Sequence, residues 1–413
     1  MSAPIPPQRL VYVGGFDFPT TQARGIQTLH TAHALARAGS SVRLLVQRPE
    51  TPGSSIADGL AGYGLAPHPR LRIVPLRVAR VDRLSWLEIH KRLAITNWSY
   101  ALNCLADVLR LRTRPTAIVT RDPRLAWVFL RARALHRRPV VYEVHEIFST
   151  RARENRSLDP GEQQGVADRT RALEAGVFAE VDLLLPLTEA CAEILTESYR
   201  VPAERIAVVP DATIPPTGPL PPRDPAGREV VYAGQLYPWK GVSTLLAAMA
   251  ELPEARLMVF GGRGRPDDPD LLACQALAEE LGVQERVTFA GFVPHAEVRR
   301  RIAGAGAAVV PLPDNLMARY FTSPLKLFDY MAAGVPIVAT DLPTIREVLA
   351  DGDTGLLVPP EDPAALAAAI RRLLVNPGLA NRLRRTAFEQ VRGHTWDGRA
   401  ARILEALGRL PRG

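Results

Sequence analysis

Residues 323–347, Ser-Pro-Leu-Lys-Leu-Phe-Asp-Tyr-Met-Ala-Ala-Gly-Val-Pro-Ile-Val-Ala-Thr-Asp-Leu-Pro-Thr-Ile-Arg-Glu, read as a helix followed by a buried strand. The Ser-Pro pair opens the helix, Gly334 stops it, and 335–339 has the apolar content of a strand covered on both faces. The N-terminal end of such a helix faces a crevice with unpaired N–H groups and a partial positive charge, so it attracts phosphate. Lys326 and Asp329 share one helix face by their i, i+3 spacing, which lets one reach an anion and the other a sugar hydroxyl. The same spacing is that of a solvated ion pair, and the segment alone does not choose.

Outward from this stretch the second half of the chain alternates strand and helix. Residues 230–233 read as a buried strand, 234–241 as a loop, 242–250 as a helix, and 256–260 as a strand ending in Gly261-Gly262-Arg263-Gly264. Strands at 287–290 and 307–311 precede the opening stretch and 355–358 follows it. The first half has the same plan. A strand at 10–13, the pair Gly14-Gly15, a loop to Gly25, a helix with Ile26, Leu29, His33 and Ala36 on its apolar face, a stop at Gly39 and a strand at 42–46 make a βαβ unit. Further strands are expected at 117–120, 140–144, 183–187 and 206–209. Seven prolines in residues 210–225 exclude helix and central strand. The pattern predicts an α/β protein of two facing Rossmann-like, doubly wound domains with a cleft between them. The first covers 1–209, a proline-rich linker 210–226, and the second 227–393; a C-terminal helix within 394–413 is expected to cross back to the first domain.

Composition narrows the class. With 413 residues, 47% hydrophobic and 23% charged, the chain fits two or three globular domains. No apolar run is long enough to span a bilayer and the N-terminus lacks a signal-peptide pattern, so a cytoplasmic location is expected. Cys104, Cys191 and Cys274 are scattered without disulfide or zinc spacing. Of the 51 basic and 43 acidic residues, 28 and 20 fall in 1–210, leaving 23 of each sign beyond, so the net charge of +8 belongs to the first half. It gathers at 70–92 and at 110–138, where Arg131, Arg133, Arg137 and Arg138 stand together; such clusters suit a phosphorylated acceptor or peripheral contact with an anionic membrane at its inner face. An Arg-rich usage without function gives the same count. Nucleic acid is not expected, because the basic stretches carry no interleaved aromatics.

In Gly234-Gln-Leu-Tyr-Pro-Trp-Lys240-Gly241 a lysine precedes the turn into a helix, where it would meet the anion that Lys326 approaches. Together with 323–347 and Gly355-Leu-Leu-Val-Pro-Pro-Glu-Asp-Pro, this string resembles the nucleotide-sugar-binding half of a retaining glycosyltransferase of the GT-B fold, glycosyltransferase family 4. Gly14-Gly15, Val144-His145-Glu146, Leu187-Thr188-Glu189 and Val208-Val209-Pro210-Asp211 agree in the first half.

The resemblance implies that Lys240 binds the donor diphosphate, that Asp329 holds the ribose hydroxyls as the second acid of a Glu-x7-Glu motif, and that His145 lies near the reacting sugar. It implies that backbone N–H groups around Leu325 and Lys326, in a donor-binding stretch that opens with Ser323 and Pro324, cup the phosphates, and that Gly14 and Gly15 let backbone approach closely. Gly234, Gln235, Gly262 and Arg263 complete the expected donor site. The first acid of the motif falls on Phe321, and Gln235 stands where Arg is common, a charge that Arg263 or Lys326 could replace.

The activity so implied is transfer of a sugar, hexosyltransferase type, from a nucleotide sugar to a glycan, lipid-linked or small hydroxyl acceptor. Attack comes on the face the diphosphate leaves, with Lys240, Lys326 and helix N-termini stabilising the departing charge and no cofactor or metal required. A nucleotide-sugar epimerase on the same fold and a non-catalytic nucleotide-sugar-binding subunit are the alternatives. His30 and His33 are read as structural, His295 as a helix-start residue, Asp122 as fixing a turn, and Trp86 and Trp98 as core or acceptor cleft.

Overall fold

The computed structural model describes residues 8–20, 23–47, 55–79, 89–111, 113, 115–153, 160–224, 227–262, 265, 267–293, 295–323 and 325–410. Its backbone divides into two units, residues 1–210 with 396–413, and residues 211–395.

The first unit carries strands β1 (Arg9–Asp17), β2 (Ser41–Gln47), β3 (Leu71–Leu76), β4 (Ala117–Thr120), β5 (Val140–Val144) and β6 (Leu183–Pro186) in the order β3-β2-β1-β4-β5-β6, with every pair parallel. β4, β5 and β6 are buried along their whole lengths because helices cover both faces of the sheet. The helix Ala23–Arg37 presents Leu29, Ala32, Leu35 and Ala36 to the core, where Ala400, Ile403, Leu404 and Leu407 of the helix Trp396–Leu407 join it. The last helix of the chain therefore completes the first unit.

The second unit repeats the plan with β7 (Glu229–Ala233), β8 (Arg256–Phe260), β9 (Val287–Gly291), β10 (Ala307–Val310), β11 (Ile337–Thr340) and β12 (Leu356–Val358) in the order β12-β11-β10-β7-β8-β9, again parallel. In each sheet the strand order reverses at the first strand, β1 or β7, and the ends of those strands are where open α/β sheets take ligands. The helix Leu325–Ala333 buries Leu327, Phe328, Tyr330 and Met331. It ends at Gly334, whose φ of 66° allows the paired bonds of Gly334 N–H to Met331 O and Val335 N–H to Tyr330 O.

Several expectations need correction. Gly14 and Gly15 lie inside β1, past a register shift after Val13, and not in a loop. Residues 206–209 form no strand: Ala207 and Val209 donate to Leu184 O and Pro186 O, a short run beside β6. β3 was missed because alternating Arg and Pro hide an edge strand. The proline-rich segment packs on the second unit, with Pro221 O accepting from the buried Arg384, whose Nε also donates to Gly334 O at 2.5 Å. Asp122 caps the helix Pro123–Arg131 by accepting from Arg124 N–H. His33 bonds Ala66 O at 2.9 Å and His30 stacks on Trp396, so both serve packing. Trp86 lies outside the described residues, and Trp98 is exposed.

Candidate functional site

At the end of β7 a tyrosine pair fixes the backbone. The Tyr232 hydroxyl donates to Gln235 O at 2.7 Å, and the Tyr330 hydroxyl accepts from Ala233 N–H at 2.7 Å, which ties the strand end to the helix Leu325–Ala333. Lys326 leaves the first turn of that helix, and its Nζ lies 3.9 Å from the Tyr232 ring centroid. That ammonium is buried with no hydrogen-bond partner among the described residues. Gly234, at φ 151°, makes room for it: a Cβ there would stand 2.7 Å from Nζ.

Lys240 comes from the turn Pro238–Lys240 of the same loop and lies over Trp239, 4.0 Å from the ring centroid, with Trp239 stacked on Tyr237. Burial lowers its pKa to about 8. Burial, then repulsion from Lys240, holds Lys326 well below the ordinary lysine range. Buried polar groups normally have partners, and the Lys326 ammonium, under the repulsion of Lys240, has no hydrogen-bond partner among the described residues.

The other expected donor residues have a mixed placement. The Asp329 carboxylate accepts from the Thr213 hydroxyl at 2.7 Å, and Ser323 Oγ accepts from Asp211 N–H at 3.1 Å, so both already anchor the segment that enters this unit. Leu325 is the half-buried first residue of its helix, Gln235 is half-buried, and Gly262 has φ 88° beside Asp268. Arg263 and Pro324 lie outside the described residues. Phe321 is buried at the end of the π-helical turn Met317–Phe321 and supplies a ring to the interior.

In the first unit, Gly15 has open space where a side chain would point, while Gly14 O accepts from the Tyr100 hydroxyl at 2.6 Å. His145 follows β5, and its Nε2 stands 3.2 Å from Glu143 Oε2. Burial, then the Arg121 charge, depresses its pKa to about 4 against the pull of Glu143, so the imidazole is neutral near pH 7. Sequence reading missed Glu143, Tyr232 and Tyr330. A glutamate within the apolar run Val-Val-Tyr-Glu-Val was the available signal for the first, since a buried charge needs partners.

Residues 25–212 match the family model described as Glycosyl transferase 4-like domain, and residues 227–376 match Glycosyl transferases group 1. The chain belongs to glycosyltransferase family 4, with the GT-B fold. The chain is 33% identical over 291 residues to a D-inositol 3-phosphate glycosyltransferase of Xylanimonas cellulosilytica, covering 65% of each chain. It is 34% identical over 204 residues to an exopolysaccharide phosphotransferase of Streptomyces coelicolor, covering 48% of this chain and 20% of that one. The chain thus spans less than two thirds of the length of these curated relatives. Its fold is that of sucrose-phosphate synthase from Thermosynechococcus elongatus, with a TM-score of 0.75, 20% identity and coverage of 96% and 97%.

Proposed function

We propose that the chain transfers a hexosyl group from a nucleoside diphosphate sugar to an acceptor hydroxyl with retention of configuration. The observation that carries this is the buried, unpartnered Lys326 ammonium beside Lys240 at the strand end where the sheet order reverses. As the bond from the anomeric carbon to the diphosphate breaks, these charges receive the negative charge that develops, a role that needs no resident metal. The acceptor hydroxyl attacks from the same face and its proton passes to the leaving phosphate oxygen. His145, with a pKa of about 4, is too weak a base to take that proton near pH 7; in neutral form it orients a sugar hydroxyl. Asp329, whose carboxylate accepts from Thr213, is the residue we assign to the ribose hydroxyls.

Nucleoside diphosphates are expected to raise the melting temperature, by about 2.7 kcal/mol of stabilisation at 100 times Kd. The product's anomeric configuration is read by NMR. No stabilisation by any nucleoside diphosphate removes the donor reading, an inverted anomer removes retention, and epimer formation without acceptor replaces transfer by isomerisation.

A lipid-linked or phosphorylated acceptor is the class we favour, in line with the phosphorylated inositol in the name of one relative. Arg131 and Arg133 pair with Glu180 and Asp182, which moderates the expected basic patch. Beside them Trp98 and Trp127 meet edge to face at 5.9 Å and are exposed together with Leu102 and Leu135, the Arg131 guanidinium lying over Trp127. Exposed tryptophans with arginine suit peripheral contact with an anionic membrane. Among the described residues no helix is long and apolar enough to cross one. The double variant Trp98→Ala/Trp127→Ala is expected to weaken partition onto phosphatidylserine vesicles about tenfold or more, with donor hydrolysis unchanged; equal partition of the variant and the parent chain removes the membrane contact.

A further inference from the structure

Glu143 is the one acid of β5, and it is fully buried. Its Oε1 accepts from Arg399 and, at 3.4 Å, from the Gln27 amide; its Oε2 accepts from the Tyr12 hydroxyl and faces His145 Nε2 at 3.2 Å. Gln27 is oriented in turn, because its carbonyl oxygen accepts from Arg121 at 3.1 Å. Arg399, on the helix Trp396–Leu407 and 3% exposed, directs its remaining donors to Thr31 Oγ1 at 3.1 Å and to the carbonyl oxygens of Val209 at 2.5 Å and Pro210 at 2.6 Å. One guanidinium thus joins the strand end that carries His145, the helix Ala23–Arg37 and the last residues before the chain leaves the first unit.

A buried ion pair is poor value as a stabiliser, since apolar residues of similar volume do as well or better. What it supplies is fixed geometry. We infer that Arg399 is a positioning residue for sugar transfer: by fixing the Glu143 carboxylate from one side it sets the orientation and the charge facing His145 on the other. The inference rests on the reading of His145 as a residue that meets the reacting sugar.

Arg399→Met removes one positive charge facing Glu143 and leaves the carboxylate to His145, with Arg121 the remaining cation nearby. In the full chain, the His145 imidazole, followed by 15N-edited NMR, is expected to titrate higher by about one unit or more. The turnover number should fall about 10²-fold, as for a group displaced by about 1 Å, while KM for the nucleotide sugar and nucleoside diphosphate affinity stay unchanged, because the lysines belong to the second unit. Arg399→Lys should restore the titration and part of the turnover. An unmoved His145 titration with parental turnover in folded Arg399→Met overturns the inference. Should that variant not fold, the double variant Glu143→Gln/Arg399→Met leaves no unpaired buried charge, and full turnover from it overturns the inference equally. His145→Ala separates the two readings: parental activity in that variant removes the role of His145 in transfer, whereas a shifted titration in Arg399→Met still establishes the coupling.

Discussion

Lys326→Met should lose sugar transfer by about 10² to 10³-fold, the cost of one charge aimed at a developing oxyanion, while the ligand-free protein melts no lower than the parent. The Tyr232 ring is set against a larger cost: the ammonium is buried, without a hydrogen-bond partner among the described residues, and repelled by Lys240. Replacing it with a thioether of similar length removes a desolvation cost, and a gain of about 1–3 kcal/mol in the absence of ligand is expected.

The sign with pH follows from the depressed lysine pKa values. Lys240 titrates at about 8 in the folded chain and at the ordinary 10.5 when unfolded, so the unfolded chain holds more protons between these values. Parent stability therefore rises with pH across that window, and Lys326→Met, lacking a second group of the same kind, should show a shallower rise. Anion binding works in reverse. A diphosphate favours the charged forms, so binding at pH 8 should take up protons, seen as a binding enthalpy that depends on the ionisation enthalpy of the buffer. Retained kcat/KM in Lys326→Met, or buffer-independent binding in the parent, would remove the lysine pair from the site.

Gly241→Ala is the second large effect. Gly241 has φ 74°, and a Cβ there would stand 1.7 Å from Pro311 O, at the end of β10 beside the lysine loop. A left-handed alanine alone costs about 1–2 kcal/mol, and displacing a backbone carbonyl adds to it, so a loss of about 3 kcal/mol or more is expected with loss of transfer. Gly282→Ala is the control: its φ is 66° but no atom lies within 4 Å of the added carbon, and only the conformational cost of about 1–2 kcal/mol applies. Calorimetry of both variants decides it; equal small losses would mean that the loop after β7 yields freely.

Local pattern carried most of the fold. The helix Val242–Ala250 and strand β8 fall where periodicity put them, because each is bounded by glycine or charge and packed by its own apolar residues. β3 escaped because an edge strand tolerates arginine and proline that a central strand would not. The two lysines stand out in the sequence at a loop and a helix start, but their surroundings do not: the Tyr232 ring beneath Lys326 and the Tyr330 hydroxyl on Ala233 are tertiary facts. Glu143 and Arg399 stand 256 residues apart, and no spacing rule connects them. Ser323 and Asp329, expected to bind the donor, hydrogen-bond to the Asp211 N–H and the Thr213 hydroxyl of the polypeptide itself.

The position of the helix Trp396–Leu407 in the core of the first unit also bears on how the protein is made. On the ribosome, residues 1–210 emerge roughly 185 codons before the segment that caps them, with Glu143 lacking its counter-charge and an apolar helix face still wet. Residues 211–395 need no later segment and can mature first. Nascent chains stalled before codon 396 should therefore present the N-terminal half to chaperones and proteases, and a premature stop there would damage the part of the molecule furthest from it in sequence.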